Sequence, residues 1–490
     1  MSMPEERMEG HRIGSFRSPN LIRSKSTSDQ KIELNIIRKW GIYRVPSKLR
    51  NVNAAAYTPQ LLSIGLFHYG KPELKDMEKH KKTYSDNFRK RYWEGIRNGC
   101  KLSEKGKGRK LSEKDKDDSL RTLLKVSEQS IIDCYAQFDL DVDRKKVVEI
   151  IQVDAFFIIE LFMRNCEVEY HDKDYILSSP WLRKAIELEL ILIENQLPFS
   201  LLQDIYIKMS QAFSSSLRQE QAQAHKDETV IDIDEKGNEF LELTCKFFED
   251  FGRVIKDAVP EPKHFTDLVR HFMLPHVEEK VTWEATTKNR YSITMLTAAR
   301  VNFMRAGDED DKRLVIKIDD PQASDECVTE KKPSKHKLNL ACFKSMNLKL
   351  TLFRVKDDTE CIIRNVMALE QFVYPEEAFV CNYFLMMDKL VDTVEDVDFL
   401  VEKGVIVNML GSNQQVAQLV NKLCDHIMEE KSCYNHICKK LNTRYESSLN
   451  RHLVSLRKVY FKDVWTGSAT FFGVVLVVLT IVEIIMSFRQ

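Results

Sequence analysis

Residues 145–166 read KKVVEIIQVDAFFIIELFMRNC. Apolar side chains fall at nearly every angular position of a helix here, so the spacing predicts a helix buried on all sides. Such a helix needs other helices around it, and the flanking chain supplies them. WLRKAIELELILIENQ (181–196) predicts a second helix that stops ahead of Pro198, because the residue before a proline avoids helical backbone. TVEDVDFLVEKG (393–404) starts on Thr393 with Asp396 three positions on, a capping-box pattern, and Gly404 suits the position after the C-cap. SNQQVAQLVNKLCDHI (412–427) repeats the pattern with Ser412 and Gln415, and its Val416, Leu419, Val420 and Leu423 share one face.

Strands are fewer. RLVIKI (313–318) and NLKLTLFRV (347–355) carry the alternation and β-branched content of strands and are expected to pair as a small sheet. Polar, charged stretches at 101–118, 214–238 and 320–337 read as surface insertions, and residues 1–30 as a disordered tail. No period of 20–50 residues repeats, which excludes a solenoid.

Lys plus Arg equals Asp plus Glu at 74 each, so the chain lacks the basic excess expected of a nucleic-acid binder. The 11 cysteines show no repeating spacing, and the first 20 residues contain no apolar run of a secretory signal, so reduced thiols are expected. Residues 464–482 form 19 uncharged positions, followed after Glu483 by Ile484, Ile485 and Met486. A helix over 465–486 would rise about 33 Å, enough to span a bilayer. Arg451, Arg457, Lys458 and Lys462 precede it and only Arg489 follows, so the bulk of the chain is expected on the cytosolic side of a plasma or endoplasmic-reticulum membrane, inserted after translation. The expected fold class is therefore mainly α: a helical domain over 31–463 with a small β-sheet, one C-terminal transmembrane helix over 464–487 and a short tail at 488–490.

Chemistry-bearing motifs are sparse. There is no phosphate-binding glycine loop, no GxSxG elbow and no HExxH. Cys424, His426, Cys433, His436 and Cys438 are of zinc-ligand type, but their spacing lacks CxxC pairs and Cys424 continues an amphipathic helix. His264 and His271, seven apart, suit a solvated or hydrogen-bonded helix face. Glu187 and Glu194 are also seven apart, and Asp154 and Glu160 sit in the most apolar helix of the chain. Carboxylates so placed serve either acid–base catalysis or the satisfaction of buried polar groups. No catalytic, cofactor-binding or metal-ligating residue is assigned on this basis.

A resemblance enters at residues 42–70, IYRVPSKLRNVNAAAYTPQLLSIGLFHYG, and continues through Met77, Glu78, His80, Lys81 and Tyr84. It runs on through Asp154, Phe157, Glu160, Leu161 and Phe162, then SSPWL (178–182) and LILIENQLPFSLL (190–202), and ends with HFTDLVRHF (264–272), AARVNF (298–303) and IRNVMALEQ (363–371). In these blocks the chain resembles the plant family known as domain of unknown function 247, also catalogued as uncharacterised protein family 0481. It departs from the family pattern at Leu66 and Tyr69, where Pro and His are usual, at Arg300, where a Gly precedes Val301, and at Thr351–Leu352, where a Pro-Pro pair is usual. The resemblance implies a mainly helical plant membrane protein without assigned enzymatic activity or cofactor, with self-incompatibility-type recognition known for some relatives. The expectation is a non-enzymatic interaction or signalling protein with a lipid bilayer and an unidentified protein as partners. The alternative is an enzyme built on Asp154, Glu160 and Glu194. Independently of the resemblance, Tyr57, Pro59 and Gly65 suit an irregular segment, and Glu194, Asn195 and Gln196 can bond orphan backbone groups and lock the corner before Pro198.

Overall fold

A computed structural model describes residues 39, 41–102, 131–135, 144–221, 233–252, 261–275, 281–287, 291–307, 313–319, 345–447 and 464–487. The expected disordered tail (1–30), most of the charged insertions at 101–118, 214–238 and 320–337, and the tail at 488–490 lie outside these residues.

The helices, in chain order, are α1 (Lys75–Leu102), α2 (Arg144–Cys166), α3 (Pro180–Leu190), α4 (Phe199–Gln221), α5 (Ile233–Phe247), α6 (Phe265–Met273) and α7 (Ile293–Ala298). They continue with α8 (Thr359–Val373), α9 (Phe379–Leu390), α10 (Val394–Glu402), α11 (Asn413–Leu423), α12 (Asn435–Glu446) and α13 (Val464–Ser487). Helix α2 is the buried axis of the N-terminal half. Ile151, Ala155, Phe156, Phe157, Ile158, Ile159, Leu161 and Phe162 are all fully buried. It packs against α1, α4 and α5, and α4 packs back onto α1 and α5. Phe162 sits among Phe240, Phe247, Phe248 and Phe265, with ring centroids between 4.7 and 6.5 Å apart, so aromatic packing closes this core.

The second half packs α8 against α9, α6 and α11. One buried ion pair ties the halves of this layer: Arg270 Nε of α6 donates to Glu370 Oε1 of α8 at 2.9 Å. Both capping boxes form as the sequence suggests. The Thr393 N–H donates to Asp396 Oδ2 at 3.1 Å, the Ser412 N–H donates to Gln415 Oε1 at 3.1 Å, and Gly404 takes φ +66° after α10. Helix α11 ends at Leu423, the last residue of its apolar stripe, and His426 turns the chain with φ +66°.

The two expected strands do pair, within one of three small sheets among the described residues. Strands β1 (Glu284–Ala285) and β7 (Lys431–Ser432) are antiparallel. β4 (Met346–Thr351) lies between β2 (Val301–Ala306), parallel to it, and β3 (Ile316–Asp319), antiparallel to it, with Leu348 opposite both Phe303 and Ile318. β5 (Phe353–Val355) leaves this sheet to run parallel with β6 (Ile406–Asn408). The change of sheet falls at Thr351–Leu352. There Thr351 Oγ1 donates to Arg313 O and accepts from the Val315 N–H, both at 2.7 Å, so a hydroxyl anchors the corner where the family pattern has prolines. Ahead of β2, Arg300 holds φ +64°, the left-handed conformation that the usual glycine adopts at no steric cost.

The C-terminal expectation is corrected. Helix α13 covers the expected span and its apolar side chains from Phe472 to Met486 are exposed. Yet among the described residues no helix is long and apolar enough to cross a membrane. Glu483 stands among the apolar side chains of this helix. Neither the transmembrane element of the expected fold class nor the expected single-pass localisation is borne out.

Candidate functional site

The three carboxylates of the acid–base alternative fall into two separate networks. The first braces an irregular strap, residues 41–70, onto the helical core. Helix α3 stops at Leu190 instead of continuing to Gln196, because the next side chains take over the work of the helix. Asn195 Nδ2 donates to Glu189 O at 3.0 Å, and Gln196 Nε2 donates to Leu190 O at 2.5 Å and Leu192 O at 2.8 Å, so the orphan carbonyls of the helix end are satisfied locally. The corner anticipated before Pro198 is therefore present, and it also grips the strap. The Ile64 N–H donates to Asn195 Oδ1 at 2.6 Å, and the Gln60 and Leu62 N–H groups donate to Glu189 at 2.8 and 3.3 Å.

Glu194 is fully buried within this corner and does not share a helix with Glu187. Its Oε1 accepts from the Val45 N–H at 2.6 Å and from Arg50, and its Oε2 lies 3.0 Å from His68 Nε2. Burial alone would raise its pKa. The hydrogen bond to His68, the Arg50 charge and the Val45 N–H outweigh burial and hold the carboxyl below the usual range. Asp154 projects from α2 to the same strap. Its Oδ2 accepts from the Gly65 N–H at 2.9 Å and its Oδ1 from Lys81 Nζ at 2.6 Å, while Lys81 also donates to Ser63 O at 2.6 Å. Burial pushes Asp154 up to about 6 against the opposing pull of Lys81. Gly65 has φ +70°, and a Cβ there would lie 2.7 Å from Gln196 O, so only glycine fits between strap and corner.

The second network holds Glu160, six residues beyond Asp154 on α2, and lines a cleft of about 560 Å³. Arg91 of α1 donates to Glu160 through Nε at 3.1 Å and to Glu167 through Nη1 at 2.8 Å. Arg164 donates through Nε to Glu160 and through Nη1 to Asp174, both at 2.8 Å. Its guanidinium is stacked between the rings of Tyr84 and Tyr170, 4.5 and 4.9 Å from their centroids. Asp174 also accepts from Tyr84 and from the Ile176 and Leu177 N–H groups, which keeps it ionised. Arg91, Arg164 and Asp174 were not singled out in the sequence. The signals were present as the i, i+4 pair Glu160 and Arg164 and as Asn87, Lys90, Arg91 and Glu94 on one helix face.

The remaining sequence candidates lie elsewhere. His264 does not sit on a solvated helix face. It is the fully buried N-cap of α6, with its Nδ1 accepting from the Asp267 N–H at 3.4 Å and its Nε2 against Gly41, and burial lowers its pKa to about 4. His271, a helical residue, bonds Asp267 O through Nδ1 at 2.7 Å. Glu187 is fully buried with Lys184 Nζ 2.9 Å from one oxygen. Among the cysteines of the C-terminal cluster, Cys438 packs its Sγ 3.4 Å from Met386 Sδ, and the Cys433 N–H donates to Asn382 Oδ1 at 3.0 Å. Among the described residues no group of three His, Cys, Asp or Glu is placed to hold a metal.

A family model described as a plant protein of unknown function, DUF247, matches residues 42–479. The chain is 24% identical over 454 residues to a UPF0481 protein of Arabidopsis thaliana, an alignment covering 91% of this chain and 86% of that one. A putative UPF0481 protein of the same plant is 21% identical over 542 residues, covering 97% of this chain and 95% of its own length. No solved structure matches.

Proposed function

We propose, from the premise that this chain belongs to DUF247, a family of plant proteins of unknown function, that it works by binding a partner and not by catalysing a reaction. One observation carries this reading: each carboxylate of the catalytic alternative already has fixed donors on both oxygens. Asp154 has Lys81 and the Gly65 N–H, Glu160 has Arg91 and Arg164, and Glu194 has Arg50, His68 and the Val45 N–H. A general base must offer a lone pair to a substrate proton within hydrogen-bond reach, and these lone pairs are spent on the fold. Asp154 and Glu194 are also sealed from solvent at 1% exposure each.

The test is a turnover screen of the full chain against chromogenic esters, glycosides and phosphates, run beside Asp154→Asn, Glu160→Gln and Glu194→Gln. No turnover above buffer is expected. A turnover that one of these variants abolishes without shifting the melting temperature would overturn the reading in favour of catalysis.

A further inference from the structure

The three-stranded sheet leaves one edge open. Its order is β2-β4-β3, so β2 is paired on one side only. The Met346 N–H donates to Arg300 O at 3.2 Å, and β2 runs parallel to β4 with Val301 opposite Met346. In a parallel pair the N–H and C=O of one residue point the same way, and that direction alternates along the strand. Arg300, Asn302 and Met304 therefore turn their backbone groups to β4, and Val301, Phe303 and Arg305 turn theirs away. None of these three outward N–H and three outward C=O groups has a hydrogen-bond partner among the described residues. Buried backbone groups are nearly always paired, so this edge faces solvent. Proteins guard such edges with Pro, Lys or a bulge; VNFMRA contains neither residue, and its register with β4 is continuous. The other edge strand, β3, is shorter and carries the exposed charges of Lys317 and Asp319.

Two side chains add specificity to this edge. Met304 is 44% exposed on the outer face of the sheet. Arg305, on the other face and partly buried, has no ion-pair or hydrogen-bond partner among the described residues, and its Nε is buried without an acceptor. We propose that β2 accepts an extended segment of a partner protein as a fourth, antiparallel strand, with an Asp or Glu facing Arg305 and an apolar residue facing Met304. The backbone selects the class of guest. A row of alternating donors and acceptors from Val301 to Arg305, about 14 Å long, matches five residues of extended polypeptide, and in antiparallel pairing each outward residue exchanges both bonds with the residue it faces. The charge selects the guest's sequence, because a guanidinium without an acceptor favours a carboxylate and repels a lysine. A second copy of β2 is disfavoured on the same ground. The antiparallel register that uses all three outward residues would set Val301 opposite Arg305 and leave the guanidinium unpaired. This inference rests on the binding reading above and names the class of partner.

The experiment is a saturation-transfer NMR titration of the full chain with the capped peptide acetyl-Glu-Val-Thr-Val-Thr-amide, in which Glu faces Arg305 and the first Val faces Met304. Replacing the Glu by Lys should weaken binding about fivefold, the discrimination that one partly exposed ion pair supplies. N-methylation separates strand addition from unspecific adhesion. The N–H of the first Thr points at Phe303 O in this register, so methylating it should weaken binding about tenfold, whereas the N–H of the second Val points away from β2 and its methylation should change binding less than about twofold. Arg305→Glu should transfer the preference to the Lys peptide, a gain that misfolding cannot imitate. No saturation by either peptide, equal effects of the two methylations, or an unchanged preference in Arg305→Glu would overturn the proposal. Absence of binding by a chain that sediments as a dimer would give the edge to a second copy and overturn it as well. Those outcomes leave the turnover screen unaffected, so the failure of this site and the failure of the binding reading are told apart.

Discussion

The strap corner and the cleft use the same residue types to opposite ends. At the corner, Glu194, Arg50, His68 and the Asp154–Lys81 pair meet between a strap and a helix end, and every carboxylate oxygen there is spent on the fold. In the cleft the floor is closed in the same way by Arg91, Arg164, Glu160 and Asp174, but Lys90, Glu94, Glu169 and Lys173 stand above it without partners among the described residues. The difference teaches where to look for function in a helical protein rich in charge. A buried charge with all its partners holds architecture, and its removal strands the others at high cost. An exposed charge without a partner contributes little to stability.

This contrast can be broken most forcefully at Glu194. Glu194→Ala strands Arg50, the Val45 N–H and His68, and should cost about 3 kcal/mol in urea unfolding, the lower end for a broken buried pair because Arg50 is 25% exposed. A cost below about 1 kcal/mol would show that the corner is not a latch.

Acidification sharpens the contrast next. His264 is neutral and buried with its pKa lowered to about 4, so the unfolded chain takes up the proton first as pH falls below about 6.5. Its contribution to stability is therefore present at neutral pH and lost on the way down. The raised carboxyl of Asp154 acts with the opposite sign, since the folded state holds that proton more tightly between about 6 and 4. His264→Gln should remove on the order of 2 kcal/mol of acid-induced loss between pH 6.5 and 4.5, seen as a flatter or inverted stability profile. A profile parallel to that of the parent would contradict the assignment.

A smaller effect is expected at the turn before β2. Arg300 occupies a left-handed position, so Arg300→Gly should stabilise by about 0.5–1 kcal/mol, the strain relief less the added freedom of the unfolded chain. The smallest belongs to the open cleft. Lys90→Ala with Lys173→Ala should change unfolding free energy by less than about 0.5 kcal/mol. A larger loss there would place these lysines in the architecture and erase the distinction between the two regions.

Much of the helical framework was legible because its signals are local. The apolar run of α2 and the Thr393 and Ser412 boxes need only neighbours within a few residues to be read. The corner was half legible. Glu194, Asn195 and Gln196 ahead of Pro198 announce a locked turn, but their guests, Val45, Ile64 and His68, lie more than a hundred residues away and no spacing encodes that pairing. For the same reason the parallel partnership of β2 with β4 was missed, and α3 was drawn too long, because side-chain amides ended it before proline could. The cleft was the least legible part. Arg91 finds Glu160 across the α1–α2 packing, and that the rim charges lack partners among the described residues is something only a folded structure displays. The apolar C-terminal stretch misled in the other direction, since composition alone suggested a span that no described helix is long and apolar enough to form.

The central claim is that the strap is latched to the helix-end corner as firmly as the core itself. Amide hydrogen exchange tests this most directly, because the Val45, Ile64 and Gly65 N–H groups donate to Glu194, Asn195 and Asp154 at 2.6, 2.6 and 2.9 Å. If the latch holds, these amides exchange only through global unfolding, as slowly as those of α2. Exchange at the rate of an exposed turn, with α2 still protected, would show a strap that opens on its own and would contradict the account.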